Sequence, residues 1–276
     1  MLNIFAILIT GILEYQNLLS DFRDYINDWL KRYVKLFTNR EVNNQREIRY
    51  IYLFACLPII GIMILLKMLL IKAHLVYLII QLILFTVTVS IFGWKNDASS
   101  GQNKPDQYIK TFATTFFSPL FWFLIFGAIG SLCYLIINLI SDELKAQKLE
   151  SIVYNSTVDK MLFYANIIPY IILSLFTAIA GDFEETTHFL VEQRKEFSKS
   201  FYTIENNLQQ AILIAIGKHK FKRGTSYDLS EAIEAGNIDF EKFDPQINTY
   251  VTALLYRIGL FYVGAITLLG IATFFS

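Results

Sequence analysis

Charge and cysteine are both scarce in this chain. Asp, Glu, Lys and Arg together make up 17% of its 276 residues, against 54% hydrophobic and 16% aromatic. A soluble domain of this length carries more charge and shorter apolar runs, so that class is excluded first. Only two cysteines occur, Cys56 and Cys133, each inside an apolar segment. With no C-x-x-C and no mixed Cys/His spacing, neither a zinc site nor a disulfide framework is indicated. The two cysteines read as small buried apolar side chains. Signature loops of enzymes are missing too: no phosphate loop, no G-x-G-x-x-G, no H-E-x-x-H and no G-x-S-x-G. The three histidines lie far apart, so no catalytic residue is assigned and no metal or cofactor is expected. Lys plus Arg and Asp plus Glu balance at 24 each, which gives no reason to expect a nucleic-acid partner. The N-terminal MLNIFAILITGILEYQNLL lacks a basic n-region and an A-x-A site, and is read as part of the mature chain.

What is present is apolar length. Spanning a bilayer takes ~20 apolar residues in a helix, and runs of that kind fall at about 50–72, 75–94, 116–140, 161–180 and 250–275. The fold class expected is therefore all-α: a polytopic helical membrane protein of about five spans, with the lipid bilayer as its principal partner. Residues 2–19 form a shorter apolar segment, interrupted by Glu14, that either crosses or re-enters. Between 20 and 37, Phe22, Tyr25, Ile26, Trp29, Leu30, Tyr33 and Phe37 share one helical face, with Arg23, Lys31, Arg32 and Lys35 mostly off it. This pattern suits a helix lying in the headgroup region or packed on a cytoplasmic domain. Domain organisation follows: membrane helices over 1–180 including the interfacial helix, a helical insertion over 181–249, and a C-terminal span over 250–276.

Lys and Arg set the expected orientation. Residues 20–50 hold seven, 95–111 three and 181–249 eight, whereas the opposite side collects Lys72 and three in 142–160. The richer side is assigned to the cytoplasm, placing loops 20–50, 95–111 and 181–249 there. Within 181–249 a helix carries Phe197, Phe201, Ile204, Leu208, Ile212 and Ala215 on one stripe, ended by Gly217. The basic run KHKFKRG at 218–224 follows, and reads as a headgroup contact or a solvated helix end.

Three groups of polar residues are candidates for function. Asp182, Glu184 and His188 open a helix, where Glu184 and His188 are i, i+4 neighbours and Glu192 continues the same face; they suit a divalent cation or a proton-transfer pair, or simply complement the helix dipole. Glu14 and Arg257 are ionisable residues inside apolar segments, which are costly and hence informative; they either pair at a common depth or Arg257 snorkels alone. The third group lies in SPLFWFLIFGAIGSLCYLIINLISD, residues 118–142. Gly127 and Gly130 there allow close helix approach, Pro119 suits a first helical turn, and Asn138, Ser141 and Asp142 gather at one end.

That last string resembles a signature of the AmpE membrane proteins and the cobinamide-phosphate synthases (CobD/CbiB type). Ser118, Pro119, Phe121, Trp122, Gly127, Gly130, Tyr134 and Asn138 match its spacing. A second block, STVDKMLFYANIIPYIILSLFTAIAGDF, is similar to the family's next helix, with Asp159 ahead of Ile168-Pro169 and an end at Gly181–Phe183. The resemblance implies a bacterial inner-membrane protein linked to cell-wall sensing and β-lactamase induction. It would act by binding a cell-wall-derived ligand or a regulatory protein partner, with Trp122, Tyr134, Asn138, Asp142 and Asp159 as ligand-binding residues. The alternative it implies is an ATP-dependent, amide-forming enzyme. Against that stands YIKTFATTFF ahead of the motif, which lacks the carboxylates a magnesium-nucleotide site requires.

Overall fold

The computed structural model describes residues 20–39, 45–70, 73–90, 105–146, 152–193, 201–216 and 247–275. Among these the secondary structure is helical, with no strand. In chain order the helices are α1 (Ser20–Thr38), α2 (Gln45–Leu69), α3 (His74–Thr88), α4 (Pro105–Phe126), α5 (Ala128–Ala146), α6 (Ile152–Ala180), α7 (Phe183–Gln193), α8 (Phe201–Ile216) and α9 (Ile247–Phe275). Four of them, α2, α4, α6 and α9, contain stretches long and apolar enough to cross a membrane, and α3 is apolar but shorter. The chain is a multi-pass helical membrane protein.

The span expected over 116–140 is in fact two helices. Gly127 takes φ +67°, a left-handed conformation that costs a residue with a Cβ ~1–2 kcal/mol. Its N–H closes onto Phe123 O at 2.8 Å, which is the single-bond left-handed cap that ends a helix. The span itself begins earlier, at Pro105, inside the stretch expected to be loop. A proline is well tolerated at a first helical turn, where its missing N–H leaves no bond unmade. Pro119 then falls inside α4, directly after a π-helical turn at Phe112–Phe117. The wider turn accommodates a proline that would otherwise collide with a carbonyl one turn back. Thr114 and Thr115 donate their hydroxyls to the Lys110 and Thr111 carbonyls at 2.9 and 2.8 Å.

The chain divides into two compact units, Met1–Phe92 with Ser118–Asn166 and Gly93–Phe117 with Ile167–Ser276. In the first, α1 packs on α2, α3 and α5. Its buried residues are Leu30, Val34 and Thr38, while Phe22, Tyr25 and Trp29 stay exposed, so the aromatic face expected to act as one surface is split. Arg23 turns inward to the end of α3. Its guanidinium donates to Thr86 O (2.8 Å), Val89 O (3.0 Å) and Ser90 Oγ (3.1 Å), satisfying carbonyls that a helix terminus leaves open.

In the second unit, Phe117, Phe176 and Tyr262 form an aromatic cluster, with Phe117 stacked on Tyr262 at 4.3 Å. Of the stripe expected on α8, Ile204, Leu208, Ile212 and Ala215 are buried, and residues 211–216 are buried on every face; Phe197 and Gly217 lie outside the described residues. Gly181 lies against the end of α8, where a Cβ would collide with the Ala215 carbonyl. The next N–H, from Asp182, bonds that carbonyl at 2.8 Å.

Candidate functional site

Four helical stripes of the first unit surround a cavity of about 570 Å³. From α2 come Arg49, Tyr52, Leu53 and Cys56, spaced i, i+3, i+4, i+7 and therefore on one face. From α5 come Gly130, Cys133, Tyr134 and Ile137 at the same spacing. The α4 wall is Trp122 and Phe126, and the α6 wall is Met161, Tyr164 and Ala165. The volume lies within the range of small-molecule sites.

The walls are held by hydrogen bonds between helices. The Trp122 indole N–H donates to Ala165 O at 2.9 Å. That carbonyl is available because its helical partner four residues on is Pro169, which has no N–H. Tyr134 is fully buried and donates its hydroxyl to Asn166 Oδ1 at 2.8 Å; Ser118 reaches the same oxygen at 3.4 Å. Asn166 Nδ2 in turn donates to Leu162 O at 2.9 Å. Tyr52 bonds Ser141 Oγ at 2.9 Å, and Ser141 donates to Ile137 O at 2.7 Å. Tyr52 is therefore the donor in its pair. With their polar atoms tied down, these aromatic side chains are fixed in orientation.

Gly130 brings α5 against α4: a Cβ there would collide with the Trp122 carbonyl. Cys56 and Cys133, expected as buried side chains, are only half-buried, and they lie close to one another. Arg49 is the one charged residue of the lining among the described residues. It is exposed and has no carboxylate partner among the described residues.

Of the five ligand-binding candidates, Trp122 and Tyr134 line the cavity. Asn138 bonds its own helix at Tyr134 O (2.9 Å), Asp142 is exposed, and Asp159 pairs with Lys145 at 3.3 Å. Asn166, Arg49 and the two cysteines were not expected. Asn166 carried a signal, an amide in an apolar run beside Pro169. Asp182 caps α7, accepting the Glu185 N–H at 3.3 Å. Glu184 is exposed, and His188 lies nearest Glu192 (Nδ1–Oε1 3.6 Å) rather than Glu184, both well exposed. No group of three potential metal ligands occurs among the described residues. Arg257 is exposed on α9; Glu14, residues 2–19, the 95–104 loop and the basic run at 218–224 lie outside the described residues.

The chain matches no family model, no curated protein and no solved structure.

Proposed function

We propose that this is a regulatory membrane protein of AmpE-like type, seated in a bacterial inner membrane. It works by binding a ligand rather than by transforming one. The observation that carries this reading is the cavity: pre-oriented aromatic walls, apolar depth and, among the described residues of its lining, one cation and no carboxylate. Few precisely placed polar groups in an apolar pocket suit recognition. A ligase reading draws no support from such a lining, since a magnesium-nucleotide calls for acidic ligands.

The test is β-lactamase induction by a cell-wall-active antibiotic in cells lacking the chain. Wild-type chain restores normal induction; a Cys133→Phe chain, with its cavity filled, does not, although it folds as judged by its unfolding midpoint. Induction that is unaltered by loss of the chain removes the link to the cell wall. Full restoration by the filled variant removes the cavity from the mechanism.

A further inference from the structure

The cavity has a chemical polarity along its length. Arg49 stands four residues into α2, ~6 Å from the helix start at 1.5 Å per residue, and Cys56 lies ~10 Å deeper on the same face. Thus the cation sits at one end and the apolar walls continue inward. Leu53, Phe126 and Tyr164 line the cavity and are also exposed, at 53%, 60% and 66%. All three lie on apolar spans, so the opening they frame faces hydrocarbon rather than water. A guanidinium without a carboxylate partner among the described residues, at the headgroup end of a slot open sideways to lipid, asks for an anion that arrives from the membrane. Arginine binds phosphate through paired charge-assisted hydrogen bonds, and tyrosine and tryptophan suit the boundary between headgroups and chains.

We infer that the cavity binds a phospholipid of the surrounding bilayer with an anionic headgroup, its phosphate on Arg49 and one acyl chain running past Tyr52 and Leu53 to the Cys56–Cys133 pair. This deepens the reading of the cavity as the ligand site and rests on it. A neutral lipid offers the same chain without the net charge. A free phosphate offers the charge without the chain.

The chain's own two cysteines report occupancy, because they lie where the acyl chain ends. Protein in nanodiscs of phosphatidylcholine alone, of phosphatidylcholine with phosphatidylglycerol, or of phosphatidylcholine with added inorganic phosphate is treated with N-ethylmaleimide, and alkylation is followed by intact mass. Phosphatidylglycerol is expected to slow alkylation of both thiols about tenfold, the scale of a hydrogen bond to a charged group. Arg49→Gln abolishes the slowing and Arg49→Lys keeps part of it. Arg46→Gln, one turn away and outside the lining, leaves it intact. Slowing that survives Arg49→Gln, that is lost equally in Arg46→Gln, or that inorganic phosphate reproduces overturns the proposal. Equal alkylation rates in phosphatidylcholine and phosphatidylglycerol overturn the proposal while leaving the induction assay unaffected, which separates this failure from that of the reading it rests on. If the thiols fail to react even in phosphatidylcholine, phosphatidylglycerol retained through detergent exchange, counted by native mass spectrometry, carries the same comparison between wild type and Arg49→Gln.

Discussion

At the scale of single residues, the most informative bond is the one from the Trp122 indole to Ala165 O. A proline inside a helix ordinarily leaves a carbonyl unmade, and here Pro169 leaves that of Ala165 to a side chain on another helix. Trp122→Phe is expected to destabilise the protein by about 1–3 kcal/mol, the cost of an unsatisfied buried acceptor. In a Pro169→Ala background the new N–H takes the carbonyl, so the same change costs less. A double-mutant cycle on unfolding midpoints measures the difference, and equal losses in both backgrounds would refute the coupling. Tyr33 offers a pH-dependent case outside the spans. Burial, then the nearby Cys56, raises its phenol above the ordinary 10, and its hydroxyl donates to Ala55 O at 2.8 Å. The unfolded chain loses this proton first, so the contribution to stability is complete below pH 10 and declines as pH rises through the folded value. Tyr33→Phe should be about 1 kcal/mol less stable at neutral pH and show a shallower alkaline decline; an unchanged decline would assign it to other groups.

At the scale of elements, the all-α class was legible because apolar length alone requires helices in a bilayer. The break at Gly127 was not legible. Glycine is common in membrane helices, and hydropathy is blind to the sign of φ. The start at Pro105 was hidden by the polar residues before it, although a proline at the edge of a loop is itself a start signal. In the site, each stripe could be seen as a spacing in the sequence: 49, 52, 53, 56 and 130, 133, 134, 137. Spacing identifies a face without naming what it faces, so the cavity emerged only when four such faces met. Trp122 and Tyr134 stood out by type. Asp142 and Asp159 did so by charge, which at helix ends more often means solvation. The Lys145–Asp159 pair joins α5 to α6 with both side chains 43% exposed, a setting in which ion pairs contribute ~0–1 kcal/mol. Asp159→Asn should accordingly shift the unfolding midpoint little and leave thiol protection by phosphatidylglycerol unchanged. A loss of protection would return Asp159 to the site.

For the molecule as a whole, the asymmetry of Lys and Arg makes a sided prediction. His188 is exposed on α7, within the segment assigned to the cytoplasm. In a Cys56→Ser, Cys133→Ser background, His188→Cys should react with a membrane-impermeant maleimide in inverted vesicles and not in right-side-out ones. The reverse pattern would overturn the cytoplasmic assignment of 181–249. The contact between Arg23 and the end of α3 has a further consequence during biogenesis. Arg23 leaves the ribosome some sixty residues ahead of the carbonyls it will cap. Until the two meet, a nascent chain carries an unshielded guanidinium on one helix and open carbonyls on another, both unwelcome in lipid. A chain that has failed to pair these segments displays polar surface, so Arg23→Met should lower the amount of protein accumulated in the membrane, as quantitative immunoblotting would measure; unchanged accumulation would show that this pairing is dispensable for assembly.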